Sequence, residues 1–193
     1  ELVREALVMR QLRHVNIVPL FGICIEPCHY SLVMEHVAKG SLYNVLHDNQ
    51  ELLPWPVRWD IALGIARGVE HLHNHQPQIL HRDLKSLNVL LDANNVPKLT
   101  DFGLSQVRAA THTQTRPAVA NVVAQMPAAG TLAWMAPELM LDSHIRSRTC
   151  DVYAYGVVMW EIASREIPWH CAVDMQIYIS ATTGIREPIA EST

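Results

Sequence analysis

The stretch LHRDLKSLNVLL, Leu80–Leu91, sets His81, Arg82, Asp83, Lys85 and Asn88 between apolar flanks. Burying such groups beside Val89, Leu90 and Leu91 costs free energy unless they are paired or have a task. Their types suggest one. A carboxylate at Asp83 can accept a proton from a hydroxyl, and an ammonium at Lys85 can set a point charge against a transferring phosphoryl group. Thirteen residues after Asn88 a second polar motif, DFG, opens at Asp101. Asn88 and Asp101 are hard oxygen donors of the kind Mg²⁺ takes together with phosphate and water oxygens.

That chemistry requires the two motifs to meet. From Ile79 onward, apolar triplets alternate with polar turns (QIL, NVLL, DANN, VPKLT), which predicts short strands and hairpins. Two strands of about four or five residues and a tight turn fill the interval, so Asn88 and Asp101 come side by side. LHRDLKSLN then lies on a loop between a helix and a strand. The helix before it is predicted from the stripe Val57, Ile61, Ile65, Val69 and Leu72, which follows the breaker LPWP. Upstream, Leu2, Ala6, Met9 and Leu12 predict an amphipathic helix over residues 1–13. NIVPLFGICIE and YSLVMEHV read as two antiparallel strands, and Ser41 as the N-cap of a helix over LYNVLHD. CDVYAYGVVMWEIAS, Cys150–Ser164, is apolar nearly all round and predicts a helix buried inside the domain. Residues 105–130 show no period and no acidic side chain, as in a functional loop or a disordered segment.

Composition narrows the classes further. A chain of 193 residues, 49% of them hydrophobic, can bury a sizeable core. A net charge of −4 without clustered Lys and Arg predicts no nucleic-acid partner and no anionic membrane surface. No apolar run is long enough for a membrane segment, and the charges of ELVREALVMR argue against a signal peptide. Of the four cysteines only Cys24 and Cys28 are close, with no second pair for zinc; they read as thiols of a reducing, cytoplasmic compartment. The eleven histidines read mostly as helix-surface and loop residues, because HLHNHQPQILH lacks the carboxylate of an H-E-x-x-H site. A start at Glu1 and an end in REPIAEST are expected of a fragment.

HRDLKSLN and DFG resemble the catalytic loop and metal motif of eukaryotic protein kinases, and MAPE, Met135–Glu138, matches that family's third landmark in the right order. The resemblance covers essentially the whole chain. It implies an α+β, two-lobe fold, with residues 1–36 a remnant of the smaller lobe (helix αC plus two or more strands). Residues 37–193 would be the mainly helical larger lobe without its terminal helices. It further implies transfer of the γ-phosphate of ATP, with Mg²⁺, to protein substrates. In that scheme Asp83 is the base, Lys85 the phosphate contact, Asn88 and Asp101 the Mg²⁺ ligands, and Thr131 a hydroxyl that bridges Asp83 and Lys85. Glu5 matches the glutamate that pairs with the strand-three lysine, and Met34 the gatekeeper. Glu35 and Val37 would offer backbone groups to the adenine edge, with Leu90 beneath the ring. Met9, Leu20, His81 and Phe102 match the apolar stack that couples αC to the loop, anchored at Asp151. Lys85 and Thr131 resemble serine/threonine kinases, and WMAPE and SLYNVLH their tyrosine-kinase-like group. Arg82 implies control by phosphorylation, with Thr111, Thr113 and Thr115 as the alternatives.

The family's glycine-rich loop and strand-three lysine have no match, since the first glycine is Gly22 and no lysine precedes Lys39. Glu138 is likewise expected to lack the family's arginine partner. The chain by itself is therefore expected to be inactive or nearly so. The competing expectation is a non-catalytic, kinase-like binding or scaffold module; the intact Asp83, Asn88 and Asp101 argue for the enzyme.

Overall fold

The computed structural model describes residues 2–26, 29–48, 51–102, 106–108 and 131–189. Helix α1, Leu2–Met9, buries Ala6, Val8 and Met9. It stops short of the expected residue 13, because Gln11 and Leu12 bond to the carbonyls of Val8 and Met9 in tight turns. His14 Nδ1 then accepts the Asn16 N–H at 3.1 Å, which turns the chain away from the helix axis.

Strands β1, Leu20–Glu26, and β2, His29–Met34, pair antiparallel from Leu20↔Met34 to Glu26↔His29, as expected. Ser41 caps helix α2, Leu42–His47: its Oγ accepts the Asn44 N–H at 3.2 Å. Helix α3, Trp55–Asn74, starts after Pro54 and carries Pro56 in its first turn, where the fixed φ suits a helix start and no N–H is missed. Its predicted stripe is buried at Ile61, Ile65, Val69 and Leu72, and Val57 packs at the edge of the core.

The helix passes β5 at close range. A Cβ on Gly64 would lie 2.5 Å from Pro97 Cγ, and one on Gly68 would lie 3.0 Å from the Asn16 carbonyl oxygen. Those two glycines let α3 press the site's hairpin against the rest of the core. The hairpin is β4, Val89–Leu91, with β5, Pro97–Leu99, in the register Val89↔Leu99. Before it, β3, Gln78–Leu80, pairs antiparallel with β6, Gln106–Arg108.

The remaining helices are α4, Pro137–Leu141, α5, Arg148–Ser164, and α6, Asp174–Thr182. The expectation that α5 is buried all round needs correction. It buries one stripe, Cys150, Asp151, Ala154, Val158, Glu161 and Ile162, whereas Val152 is 57% exposed. Its main contacts among the described elements are with α3 and the 3₁₀ turn Leu132–Trp134. One apolar core joins α1, α2, α3, β4, β5 and α5 through Met9, Leu42, Ile65, Val89, Leu99 and Val158. Among the described residues no helix is long and apolar enough to cross a membrane.

Candidate active site

The loop after β3 starts from a costly backbone. Arg82 has φ 68°, a left-handed conformation that costs a non-glycine residue about 1–3 kcal/mol unless its surroundings hold it there. Asp151, in the first turn of α5 and 1% exposed, does the holding. Its Oδ1 accepts the Arg82 N–H at 2.8 Å, and its Oδ2 accepts the His81 N–H at 3.0 Å. His73 Nε2 on α3 reaches the same Oδ2 at 2.7 Å. Burial pushes the Asp151 carboxyl upward, yet the His73 hydrogen bond, the His81 charge and the two amides outweigh it and leave it below its ordinary value. His81 is itself fully buried. It meets the buried Phe102 ring in a tilted contact, 5.2 Å between centroids, and donates from Nε2 to the Thr100 carbonyl at 3.1 Å. Met9 and Phe102 share the main core, with Leu20 packed against it. His73 therefore departs from the surface role expected for most histidines, because it has a buried carboxylate oxygen to bond.

With the backbone fixed, the polar side chains converge. Asp83 is 8% exposed. Its Oδ2 receives Lys85 Nζ at 2.9 Å and Asn88 Nδ2 at 3.0 Å. Asn88 Nδ2 also bonds the Asp83 carbonyl at 2.8 Å, closing the loop on itself. Lys85 Nζ donates onward to Thr131 Oγ1 at 3.0 Å, so the ammonium lies between Thr131 and Asp83. Asp83 Oδ1 is buried without a hydrogen-bond partner among the described residues. An orphaned buried carboxylate oxygen is costly, and a hydroxyl donor brought to it would relieve that cost.

The hairpin brings the second motif in. The Thr100 N–H donates to the Asn88 carbonyl at 3.0 Å, which sets Asp101 one residue beyond the residue bonded to Asn88. Asp101 has φ 62° and an exposed side chain. Asn88 and Asp101 are a donor set that suits Mg²⁺, which takes one or two protein oxygens and fills the rest with phosphate and water. Among the described residues no three His, Cys, Asp or Glu side chains cluster to hold a metal.

The predicted hinge is tied to the same hairpin. After Met34 closes β2, the Glu35 N–H bonds the Pro19 carbonyl at 3.1 Å, and Glu35 pairs with Lys98 of β5 at 2.9 Å. Lys39 N–H bonds the Leu91 carbonyl, Leu91 N–H bonds the Gly40 carbonyl, and Ser41 bridges Leu90. Leu90 thus lies beside residues 39–41. The Val37 carbonyl takes the Gly40 N–H, while the Glu35 carbonyl and Val37 N–H have no internal bond among the described residues. Glu5 falls on α1, but its side chain lies outside the described residues, as do Gly103, Thr111, Thr113, Thr115 and Cys28. Glu138 on α4 accepts from Thr149 Oγ1 at 3.2 Å and Cys150 Sγ at 3.6 Å; burial and the Glu138 charge push the Cys150 thiol up to about 11.

Sequence reasoning missed a second carboxylate on α5. Glu161 is fully buried. Its Oε1 accepts from Ser86 Oγ at 2.6 Å and meets His47 Nε2 at 2.8 Å, and its Oε2 accepts from Trp134 Nε1 at 2.9 Å. The signal was present: Asp151 and Glu161 are the acids of an otherwise apolar helix, where an unpaired carboxylate is not tolerated.

A family model described as protein tyrosine and serine/threonine kinase matches residues 1–192. The chain is 40% identical over 171 residues to serine/threonine-protein kinase CTR1 of Arabidopsis thaliana, which covers 88% of this chain and 20% of that protein. It is 40% identical to the probable serine/threonine-protein kinase drkC of Dictyostelium discoideum, over 98% of this chain and 24% of that one. Identity to receptor-interacting serine/threonine-protein kinase 2 of Bos taurus is 36%, over 100% of this chain and 36% of that protein. The chain therefore spans from 20% to 36% of the length of these relatives. The family match over nearly the whole chain and these relatives together identify the chain as a member of the protein tyrosine and serine/threonine kinase family.

Proposed function

We propose that the protein carrying this chain transfers the γ-phosphate of ATP to serine or threonine hydroxyls of protein substrates. The observation that carries this reading is Asp83: one carboxylate oxygen is held by Lys85 and Asn88, and the other is buried without a partner among the described residues. Oδ1 accepts the proton of the attacking hydroxyl, and the Lys85 and Asn88 bonds keep the carboxylate aimed while it does so. Lys85, already bonded to Thr131, supplies positive charge where the phosphoryl oxygens pass. Asn88 and Asp101 would hold Mg²⁺, which when bound neutralises charge on the phosphate oxygens. Adenine lies at the Glu35 carbonyl and the Val37 N–H, between Met34 and Leu90, a placement supported by those two groups having no internal bond among the described residues. Glu5 is the partner of a strand lysine. Residues 1–36 belong to the smaller lobe and 37–193 to the larger, a division supported by the bonds that tie residues 39–41 to β4. The free thiols Cys24, Cys150 and Cys171 suit a cytoplasmic setting.

The test is incubation of the full-length protein with Mg-ATP and a generic protein substrate, followed by phosphoamino-acid analysis. Phosphoserine or phosphothreonine that disappears on chelation of Mg²⁺ is expected. Phosphotyrosine alone overturns the acceptor, and no transfer under any Mg-ATP condition overturns the reading.

A further inference from the structure

The turn that follows α1 is tied to α3 and to the hairpin through one histidine. His14 is half-buried, and its ring stacks on His71 of α3 with centroids 4.7 Å apart and 21° between the planes. Its Nδ1 accepts the Asn16 N–H at 3.1 Å, so that nitrogen carries no proton. Asn16, 3% exposed, extends the contact to β5. Its Nδ2 donates to the Pro97 carbonyl at 2.8 Å, and its own carbonyl accepts the Leu99 N–H at 2.9 Å. The Val18 N–H then bonds the Leu99 carbonyl at 2.9 Å, and Ile17 bridges Leu99 in parallel. Residues 16–18 thus pair with β5, the strand that leads into Asp101.

A proton on His14 Nδ1 reverses this geometry. The nitrogen becomes a donor aimed at the Asn16 N–H, which loses its acceptor. The ring also becomes a cation stacked on a second histidine. The charged groups of α3 that act on it are His71, Arg67 and Glu70: the two basic ones oppose the proton, and the exposed Glu70 offsets them only in part. We infer that the stacked His14–His71 pair is an acid-operated latch: the neutral His14 ring holds residues 16–18 against β5, and a proton taken up at Nδ1 releases them. The direction follows from linkage. Burial, then His71 and Arg67, hold folded His14 below its ordinary value of 6.5, so the closed latch binds a proton less readily than the open one. The latch is therefore complete above that ordinary value and weakens as pH falls below it. It stands apart from the phosphoryl-transfer reading, because it involves neither nucleotide nor protein substrate.

The test is hydrogen–deuterium exchange of the full-length protein, read by mass spectrometry on the peptides that carry Asn16–Val18 and Pro97–Leu99. Exchange is measured at about pH 7.5 and about pH 5.5, on either side of the ordinary histidine value, and corrected for the intrinsic chemical rate. Both peptides are expected to exchange about fivefold faster at the acid pH, the size expected for loss of one hydrogen bond. In His14→Asn the side-chain oxygen accepts the same N–H and does not titrate, so protection at neutral pH is expected to stay and the acid response to vanish. His71→Phe keeps a ring for stacking and removes one positive charge, so its acid response is expected to be smaller than that of wild type. Equal exchange of the wild type at the two pH values overturns the inference. A full-sized acid response in His14→Asn does so as well, because some other group would then be taking up the proton. Should His14→Asn fail to fold, His71→Phe decides: an undiminished response there overturns the latch.

Discussion

Helix α5 grips the catalytic loop at both of its ends, and the two grips differ in kind. At the N-terminal end Asp151 takes the backbone amides of His81 and Arg82. At the C-terminal end Glu161 takes the side chains of Ser86 and Trp134. Each carboxylate also faces a histidine from another helix, His73 on α3 or His47 on α2. The backbone grip makes no demand on the loop's side chains, and its product is a conformation: it sustains the left-handed Arg82 that turns Asp83 toward its partners. The side-chain grip demands a hydroxyl and an indole N–H at set positions, and its product is a distance between two segments. A single rigid helix thus separates shaping the loop from spacing it.

The difference can be broken experimentally, and the largest effect is expected at the backbone end. Asp151→Ala leaves two amides and His73 without their buried acceptor and is expected to lower stability by about 3–5 kcal/mol, read as the shift in urea midpoint. Equal destabilisation by Ser86→Ala would erase the distinction between the grips. Replacement of either histidine by Phe removes one donor and keeps the carboxylate. His73→Phe and His47→Phe are each expected to cost about 1–3 kcal/mol. A His47→Phe loss that vanishes on a Glu161→Gln background would tie His47 to the side-chain grip.

The smallest effect concerns acid. The Asp151 carboxyl is held below its ordinary value of 3.8, so in the folded chain it binds its proton less readily than in the unfolded chain. Its contribution to stability is complete above the ordinary value and disappears as pH falls through the lowered one. The acid limb of a stability–pH curve should therefore flatten in Asp151→Asn relative to wild type. An unchanged limb would mean that the backbone grip does not depend on the charge.

Much of the site was legible before any coordinates. The interval between Asn88 and Asp101 implied a hairpin, and β4 with β5 is that hairpin. The stripe from Ile61 to Leu72 and the Ser41 cap were equally readable, because helical period and capping are local properties. The end of α1 was not, since it depends on a turn made by His14 and Asn16 rather than on the apolar period. Neither was the Glu161 cluster. Its partners lie 27 to 114 residues away in sequence, and the pattern along α5 shows that a carboxylate is buried without showing what satisfies it. The one-sided burial of α5 escaped for a related reason: an apolar composition does not say how many neighbours cover a helix.

The central claim is that Asp83 takes the proton of the acceptor hydroxyl. Its most direct test is single-turnover phosphoryl transfer to a protein substrate by the full-length protein and its Asp83→Asn variant, at equal folded fraction and saturating Mg-ATP. Asparagine retains the shape and cannot accept the proton, so a fall of about 10²–10⁴-fold in rate is expected. Transfer by Asp83→Asn at the wild-type rate would contradict the account.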